Sequence, residues 1–286
     1  MRALPSPLSR LNKHFTASPI ETMNGDLLRT LPDHVLTTKV FTYFGFKDYA
    51  LTGCASQYAQ AHWTAANQQK PLPLYVPEDC RTLTEAVKRV EQDQRITTIV
   101  LGKGGHQIDG GDLKVVSAMS IVGRPDLPKE TIVVLGGIRF KRGIHGNCHL
   151  QHLTLRQANR SGVVGFSSFT MEDVLVEQCG IGVFADGTGV VGRCTNLEVR
   201  QCGWSGVYAS NGASITLIGA KTTVHHNCAY GRNYGLRVQG SSSSTIGLVH
   251  PLTNEQVSLD NGGGGNWGAS SGGDIHQIKT IFQNKK

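Results

Sequence analysis

The sequence has few charged residues and no long apolar run. Asp, Glu, Lys and Arg make up 17% of the 286 residues, whereas Gly occurs 35 times. This balance favours a β protein with many tight turns over a helical bundle or a disordered chain. No run of about eighteen apolar residues occurs, and the N-terminus has no apolar segment with a cleavage site. Neither a membrane span nor a secretory signal is therefore expected.

The cysteines and the basic residues give no sign of a metal site or a nucleic-acid surface. The seven cysteines are odd in number, and none lies in a CxxC or CxxH pattern. We therefore expect reduced thiols, no metal, no cofactor and a cytoplasmic or nuclear location. The net charge of +7 is spread along the chain, and the only tight cluster is Arg139, Lys141 and Arg142. Three such cations are more often a solvated face than a phosphate site, so nucleic acid is not a favoured partner.

The N-terminal quarter is predicted to contain a tail and a small helical module. Residues 1–25 have no acidic side chain in their first twenty positions, which fits a disordered tail or, alternatively, an organelle transit peptide. Residues 26–69 carry apolar side chains at helical spacing after Pro32, and Gly45 ends the first helix. Three short helices in about forty residues cannot bury a stable core alone. The module therefore needs a partner or a neighbouring domain.

The helical module contains a spaced set of mostly apolar residues, namely Leu31, Pro32, Val35, Leu36, Val40, Phe41, Tyr43, Phe44, Asp48, Tyr49, Cys54 and Trp63. In order and spacing, this set resembles an F-box. After Cys54 the family has a basic residue before an aromatic one, and this chain has Ala55, Ser56 and Gln57. The resemblance implies docking on a Skp-type adaptor of a cullin-based ubiquitin ligase. The implied contacts are Leu31, Pro32, Val35, Leu36, Phe41, Phe44 and Trp63. The alternative is a helical cap that only shields the next domain.

Residues 78–286 are predicted to form a right-handed single-stranded parallel β-helix after a linker at 70–77. An amphipathic helix at 83–90 is followed by a buried strand at 97–101. A helix at this place suits a solenoid, whose first coil needs a cover. This entry resembles that of pectate-lyase-like β-helices, a resemblance that implies the fold but not the activity, because the fold carries enzymes and non-enzymatic binders.

Two sets of repeated residues predict coils of roughly 20 to 29 residues. In the first set, Leu153, Val174, Leu197 and Thr222 recur at steps of 21, 23 and 25, and the residue two positions after each is also apolar. The second set is a glycine followed by an apolar residue. Its members are Gly162-Val163, Gly182-Val183, Gly206-Val207 and Gly235-Leu236. We expect the apolar residues to point inward and the glycines to permit turns.

The cysteines and the C-terminal segment are assigned to the interior and the end of the solenoid. Alignment of the coils places Cys179 above Cys202, with Cys228 at the equivalent corner one coil on. We expect an inward stack of small side chains there rather than disulfides or a metal site. Residues 275–286 contain a short apolar segment that is expected to cap the last coil.

The acidic residues of the coils do not form an obvious catalytic pair. Carbohydrate chemistry needs two or three carboxylates on one face, or carboxylates that hold Ca²⁺. The candidates, Glu172, Asp173, Glu177, Asp186 and Glu198, are scattered over the predicted faces. Arg156, Glu177 and Arg200 alternate in sign on successive coils, which predicts an outward ion ladder. His225 and His226 are expected to face opposite sides of their strand and not to act as a pair.

Aromatic residues on successive coils predict a recognition surface. The predicted target-binding residues are Phe184, Trp204, Tyr208 and Arg237, which align on the outward side of the coils. The alternative is that a loop covers this stripe. We therefore expect a substrate-recognition subunit that binds a Skp-type adaptor and an unidentified target protein or glycan. A carbohydrate-active enzyme and a non-catalytic glycan-binding β-helix remain alternatives, so whether the chain is an enzyme stays open.

Overall fold

The computed structural model of the protein describes residues 73–240 and 243–282. The predicted tail, the F-box-like module and its seven adaptor-binding residues lie outside the described residues. Within them, all paired strands are parallel and form a β-helix of the right-handed type with about seven turns. None of the helices in these two ranges is long and apolar enough to cross a bilayer. The prediction of a mainly β, parallel β-helix is confirmed.

The strands form three ladders along the axis, which we name ladders A, B and C. The members of ladder A are β1 (Pro73–Val76), β2 (Thr98–Leu101), β4 (Ser120–Gly123), β6 (Cys148–Arg156), β8 (Phe169–Glu177), β10 (Val191–Thr195), β13 (Ser214–Ile218), β16 (Thr245–Val249) and β19 (Ile278–Ile281). Ladder B takes the second halves of β6 and β8. Its other members are the first halves of β3 (Gly104–Val115) and β5 (Ile132–Phe140), followed by β11 (Glu198–Arg200), β14 (Thr223–His225) and β17 (Ser258–Leu259).

Ladder C follows ladder B in every coil. Its members are the second halves of β3 and β5, then β7 (Ser161–Gly165), β9 (Ile181–Asp186), β12 (Val207–Ser210), β15 (Tyr234–Gln239) and β18 (Gly265–Ser270). The helical segments of the described residues lie between strands. They are α1 (Leu83–Gln92), α2 (Asn254–Val257) and two 3₁₀ turns, Lys129–Thr131 and Ile275–Gln277.

The first coil begins earlier than the sequence predicts. Strand β1 lies inside the expected linker at 70–77 and pairs with β2. Helix α1 then packs on these strands with Leu83, Ala86, Val87 and Val90 buried, the spacing of one helix face. The Thr82 hydroxyl accepts a hydrogen bond from the Glu85 amide and caps the N-terminus of α1.

The two repeated sets are in register as predicted. In ladder B, Val176 pairs with Val199 and Val199 with Val224, and in ladder C, Val183 pairs with Val207 and Val207 with Leu236. All of these side chains are fully buried. Apolar residues that stack on their equivalents at roughly 4.8 Å spacing therefore form the core.

The glycines at the start of the ladder C strands are required by close packing and not by a turn. Gly182 and Gly206 have ordinary φ angles, contrary to the expectation that glycine permits a turn there. A Cβ on Gly182 would lie 2.3 Å from Val199 Cγ1 and 2.4 Å from the Gly206 carbonyl oxygen. A Cβ on Gly206 would lie 2.4 Å from Val224 Cγ1. Only glycine lets ladders B and C approach this closely.

The C-terminal segment adds a strand to the solenoid. Ile278 in β19 pairs with Ile246 and is buried, so 278–281 continues ladder A. Phe282 stays exposed, with its ring stacked on His250 at a centroid distance of 4.9 Å. In the last coil, Trp267 extends the interior column of ladder C and packs on the core. The described part of the expected cap at 275–286 thus contains a strand that continues ladder A.

The cysteine stack continues into asparagines. The cysteines of the described residues are free and buried, as predicted. The residue that stacks on Cys202 is Asn227, not Cys228, because the Cys202 amide donates to Asn227 Oδ1 at 3.0 Å. The Asn227 amide donates in turn to Asn261 Oδ1 at 3.0 Å. Each asparagine side chain thus accepts a hydrogen bond from a buried backbone amide at the corner between ladders B and C.

Candidate functional site

Three side chains form a continuous stack on the outward face of ladder C, which we name the aromatic stack. Strand pairing aligns Phe184 with Tyr208 and Tyr208 with Arg237. The Phe184 and Tyr208 rings lie 4.7 Å apart between centroids, with an interplanar angle of 17°. The Arg237 guanidinium carbon lies 4.8 Å from the Tyr208 centroid. The sequence alignment of coils predicts this order of residues.

Tyr208 is the least exposed member of the aromatic stack. Its side chain points outward, but Phe184 and Arg237 cover it and leave only 9% of the residue exposed. Its hydroxyl donates a hydrogen bond to Gln239 Oε1. Burial raises the pKa of Tyr208, and the charge of Arg237 opposes this effect. Tyr208 therefore positions its neighbours and is not itself an accessible contact residue, in contrast to the expectation.

Arg237 is held by neutral groups. Its guanidinium donates to Ser270 Oγ at 3.0 Å, Asn233 Oδ1 at 2.6 Å and Gln239 Oε1 at 3.1 Å. None of these acceptors carries a charge, so the positive charge of Arg237 is fixed in place without neutralisation. An ordered cation of this kind is suited to attract an anionic group.

Trp204 is not part of the aromatic stack. It precedes β12 in the loop that follows β11, and 45% of the residue is exposed. Among the described residues, the aromatic ring contacts of Phe184 and Tyr208 are with each other. Trp204 thus adds an exposed aromatic side chain at the corner before ladder C.

A second group of side chains lies further along the face of ladder C, and we name it the basic pocket. A cavity of about 440 Å³ is lined by Arg139, Lys141, Arg142 and Phe166. The sequence predicts that the three cations form a solvated cluster, and it assigns no role to Phe166. In the structure, Arg139 pairs with Val164, and Val164 with Phe184, so the repeat alignment continued toward the N-terminus leads from the predicted stripe to this pocket.

Glu177 is enclosed by the two arginines of the predicted ion ladder. Arg156 Nε donates to Glu177 Oε1 at 2.6 Å, and Arg200 Nε donates to Glu177 Oε2 at 2.9 Å. The expected alternation of charge is therefore present. However, Glu177 is only 3% exposed, so the carboxylate at the centre of this triad is buried, whereas the side chains of Arg156 and Arg200 are about one third exposed.

The other candidate carboxylates mostly have partners of their own. Asp186 accepts hydrogen bonds from Ser210 Oγ at 2.6 Å and Asn211 Nδ2 at 2.7 Å. Glu198 pairs with Arg200 at 2.9 Å and lies 3.5 Å from His225 Nε2. Glu172 is exposed on ladder A. These interactions orient the carboxylates toward structural neighbours.

His225 and His226 do meet, contrary to the expectation. Their Nδ1 atoms lie 2.7 Å apart, and the rings make an edge contact. His226 adopts a left-handed conformation with φ of 54°, as Gln178 and Gln201 do at the same corner of earlier coils. The left-handed residue breaks the strand alternation on which the expectation depended. One ring must donate its Nδ1 proton to the other.

Asp173 forms an ion network at the corner between ladders A and B. His152 Nδ1 lies 2.7 Å from Asp173 Oδ2, and His152 Nε2 lies 2.7 Å from the Leu127 carbonyl oxygen. Lys129 Nζ donates to Asp173 Oδ1 at 2.7 Å. The network ties the 3₁₀ turn to the ladders and uses both ring nitrogens of His152. It is a structural network with no free nitrogen for catalysis.

His152 is expected to make stability depend on pH. Burial, the largest effect, lowers the pKa of His152, but the Leu127 carbonyl and Asp173 together raise it above its ordinary value. A histidine with a raised pKa stabilises the fold below its unfolded pKa of about 6.5, and this contribution is lost as pH rises through the folded pKa. We expect the stability difference between wild type and His152→Gln to shrink by about 0.2–1 kcal/mol from about pH 5.5 to 8.5. Urea unfolding at both pH values measures it, and a constant or growing difference would contradict this role.

Comparison with known proteins does not assign the chain to a family. No protein-family model, curated protein or solved structure matches the chain. Within residues 73–240 and 243–282, no three His, Cys, Asp or Glu side chains are grouped so that they could hold a metal ion. The candidate site therefore rests on its own geometry, namely the aromatic stack and the basic pocket on one face of ladder C.

Proposed function

We propose that the protein is a substrate-recognition adaptor of a cullin-based ubiquitin ligase and that the outward face of ladder C holds the target. The observation that carries the proposal is the aligned stack of Phe184, Tyr208 and Arg237 on consecutive coils. Aromatic and arginine side chains supply most of the anchoring energy at protein interfaces. A rigid solenoid holds them at fixed spacing without an ordering cost.

The accessible parts of this face are the half-buried Phe184 and Arg237 and the exposed Trp204. Buried Tyr208 keeps them in position. A repeat of roughly 4.8 Å per coil suits an extended partner segment better than a globular knob. We therefore place an extended polypeptide along the coils, parallel to the solenoid axis.

The ligase part of the proposal rests on residues 26–69. Leu31, Pro32 and the spacing of Phe41 and Phe44 support docking on a Skp-type adaptor. The alternative of a carbohydrate-active enzyme has less support, because Glu177, Asp186 and Glu198 are engaged with arginine, serine and asparagine side chains. No observed contact favours acid–base chemistry at these groups.

The experiment has two arms. Co-expression with a Skp-type adaptor should recover a complex with the wild type, and Leu31→Ala/Pro32→Ala should weaken it by about 2 kcal/mol or more. A displayed library of extended peptides should yield binders that lose at least about tenfold in affinity with Phe184→Ala/Arg237→Gln. The matched control is Val191→Ala/Arg193→Gln, which removes an exposed apolar side chain and an exposed cation from ladder A. Equal recovery of adaptor by both proteins, or equal peptide binding by both surface variants, would contradict the corresponding arm.

A further inference from the structure

We propose that the basic pocket binds the anionic side chain, carboxylate or phosphoryl, of an extended polypeptide that lies along ladder C. This inference rests on the proposed function and adds the chemistry of the target. The pocket has three cationic side chains and one aromatic ring around a cavity of about 440 Å³. Such a cavity has room for a whole acidic side chain.

The cations of the pocket are arranged around Phe166. The guanidinium carbons of Arg139 and Arg142 each lie 5.6 Å from the centroid of its ring. An aromatic ring attracts a guanidinium through its quadrupole, so Phe166 orients both guanidinium groups toward one site.

The acidic neighbours leave positive charge in the pocket. Asp112 accepts from Arg139 Nη2 at 2.6 Å and neutralises it. Asp186 lies 3.6 Å from Arg142, whose side chain is 75% exposed, and already accepts from Ser210 and Asn211. Lys141 is exposed as well. Arg142 and Lys141 thus face solvent, where an added oxyanion reaches them without displacing a tight ion pair.

The backbone of the pocket is fixed before any ligand arrives. The Ser167 hydroxyl donates to the Lys141 carbonyl oxygen at 2.7 Å and accepts from the Ile144 amide at 3.2 Å. The Lys141 amide donates to the Val115 carbonyl oxygen at 2.9 Å. These bonds join the loop after β5 to the end of β3 and to the loop after β7. Binding therefore needs ordering of the cationic side chains only.

The pocket and the aromatic stack form one linear surface. Pairing leads from Arg139 through Val164, Phe184 and Tyr208 to Arg237. Four such steps span about 19 Å, which an extended peptide covers in about six residues. Because the partners of Arg237 within residues 73–240 and 243–282 are neutral, both ends of the surface are cationic and the middle is apolar. A matching segment has acidic groups about six residues apart with apolar residues between them.

A polypeptide fits this surface better than a single-stranded nucleic acid. Nucleic-acid grooves combine many cations with ring faces on which bases stack. Here the ring face of Phe184 that meets Tyr208 is already covered, and Arg237 covers Tyr208 in turn. Between the two cationic ends, Phe184 is half-buried, whereas Val164 and Tyr208 are buried.

The test uses the full chain and three ten-residue peptides. The first has glutamates six positions apart with alternating leucine and threonine between them, the second has phosphoserine in place of one glutamate, and the third has glutamine in place of both. Inorganic phosphate is titrated separately as a probe of the pocket alone. The variants are Lys141→Gln/Arg142→Gln and, as a control that removes the same charge from exposed sites, Arg193→Gln/Lys221→Gln.

We expect wild type and the control to bind an acidic peptide at least about tenfold more tightly than the glutamine peptide. The Lys141→Gln/Arg142→Gln variant should lose this preference, and phosphate binding with it. The ratio between the phosphoserine and glutamate peptides identifies the oxyanion. Equal binding of acidic and neutral peptides by the wild type, or an equal loss in the control variant, would overturn the inference. The two proposals can be distinguished. If Phe184→Ala/Arg237→Gln binds library peptides like the wild type, the proposed target face is wrong. If phosphate binding still depends on Lys141 and Arg142 in that case, anion binding by the pocket is nevertheless supported.

Discussion

Replacing Tyr208 with alanine is expected to lower the free energy of unfolding by about 3–5 kcal/mol. Only 9% of the residue is exposed between Phe184 and Arg237, although the ring points away from the solenoid core. Its removal exposes one face of Phe184, leaves Arg237 without its ring partner and opens a cavity. Thermal or urea unfolding measures the loss.

Two variants make this expectation specific. Tyr208→Phe keeps the ring and loses only the hydrogen bond to Gln239, so it should cost about 1 kcal/mol. Tyr230→Ala removes an aromatic ring that is 68% exposed and should change stability by less than about 0.5 kcal/mol. If Tyr208→Ala were as mild as Tyr230→Ala, the aromatic stack would not be a structural unit. Tyr208 would then count as a direct contact residue.

The second large effect is expected from the triad of Arg156, Glu177 and Arg200. Arg156→Met/Arg200→Met should cost about 3–5 kcal/mol, because it leaves the Glu177 carboxylate buried without a partner. Glu177→Gln should cost less, because the side chains of Arg156 and Arg200 are about one third exposed and can be solvated. The triple variant Arg156→Met/Glu177→Met/Arg200→Met should recover most of the stability, since no charge is then buried.

Urea unfolding of the wild type and the single, double and triple variants measures this order of stabilities. Glu172→Gln serves as the control, because Glu172 is an exposed carboxylate on the same strand. A triple variant that is less stable than the double variant would show that the ion pairs stabilise the fold by more than the desolvation they require.

The register of the coils could be predicted because identical positions stack. From residue 150 onward, an inward Leu or Val recurs at nearly constant spacing, and the structure pairs Leu153 with Val174 and Val176 with Val199. The earlier coils gave no such signal. Strand β3 passes through two ladders with an irregularity between Gln107 and Asp112, so no fixed step connects its residues with those of β5.

The details of the candidate site were less predictable for three physical reasons. Outward alignment gave the order Phe184, Tyr208 and Arg237, but not that the rings would cover one another. Strand alternation failed at His226, where a left-handed residue turns the corner. The role of Phe166 depends on the pairing of Arg139 with Val164, which comes before the coils whose repeats are explicit in the sequence. Exposure and corner geometry depend on neighbours in other coils, which a single segment does not contain.

The triad of Arg156, Glu177 and Arg200 also affects which coils stack on one another during folding. The inward columns are nearly interchangeable, since Val176, Val199 and Val224 would fill one another's places. A hydrophobic core of this kind hardly distinguishes correct stacking from a coil that has skipped its neighbour. Skipping one coil would bring Arg156 against Arg200, two like charges at roughly 4.8 Å spacing, a pairing that is unfavourable. The alternating charges therefore disfavour a stacking that skips a coil and favour the native order among coils of similar core shape.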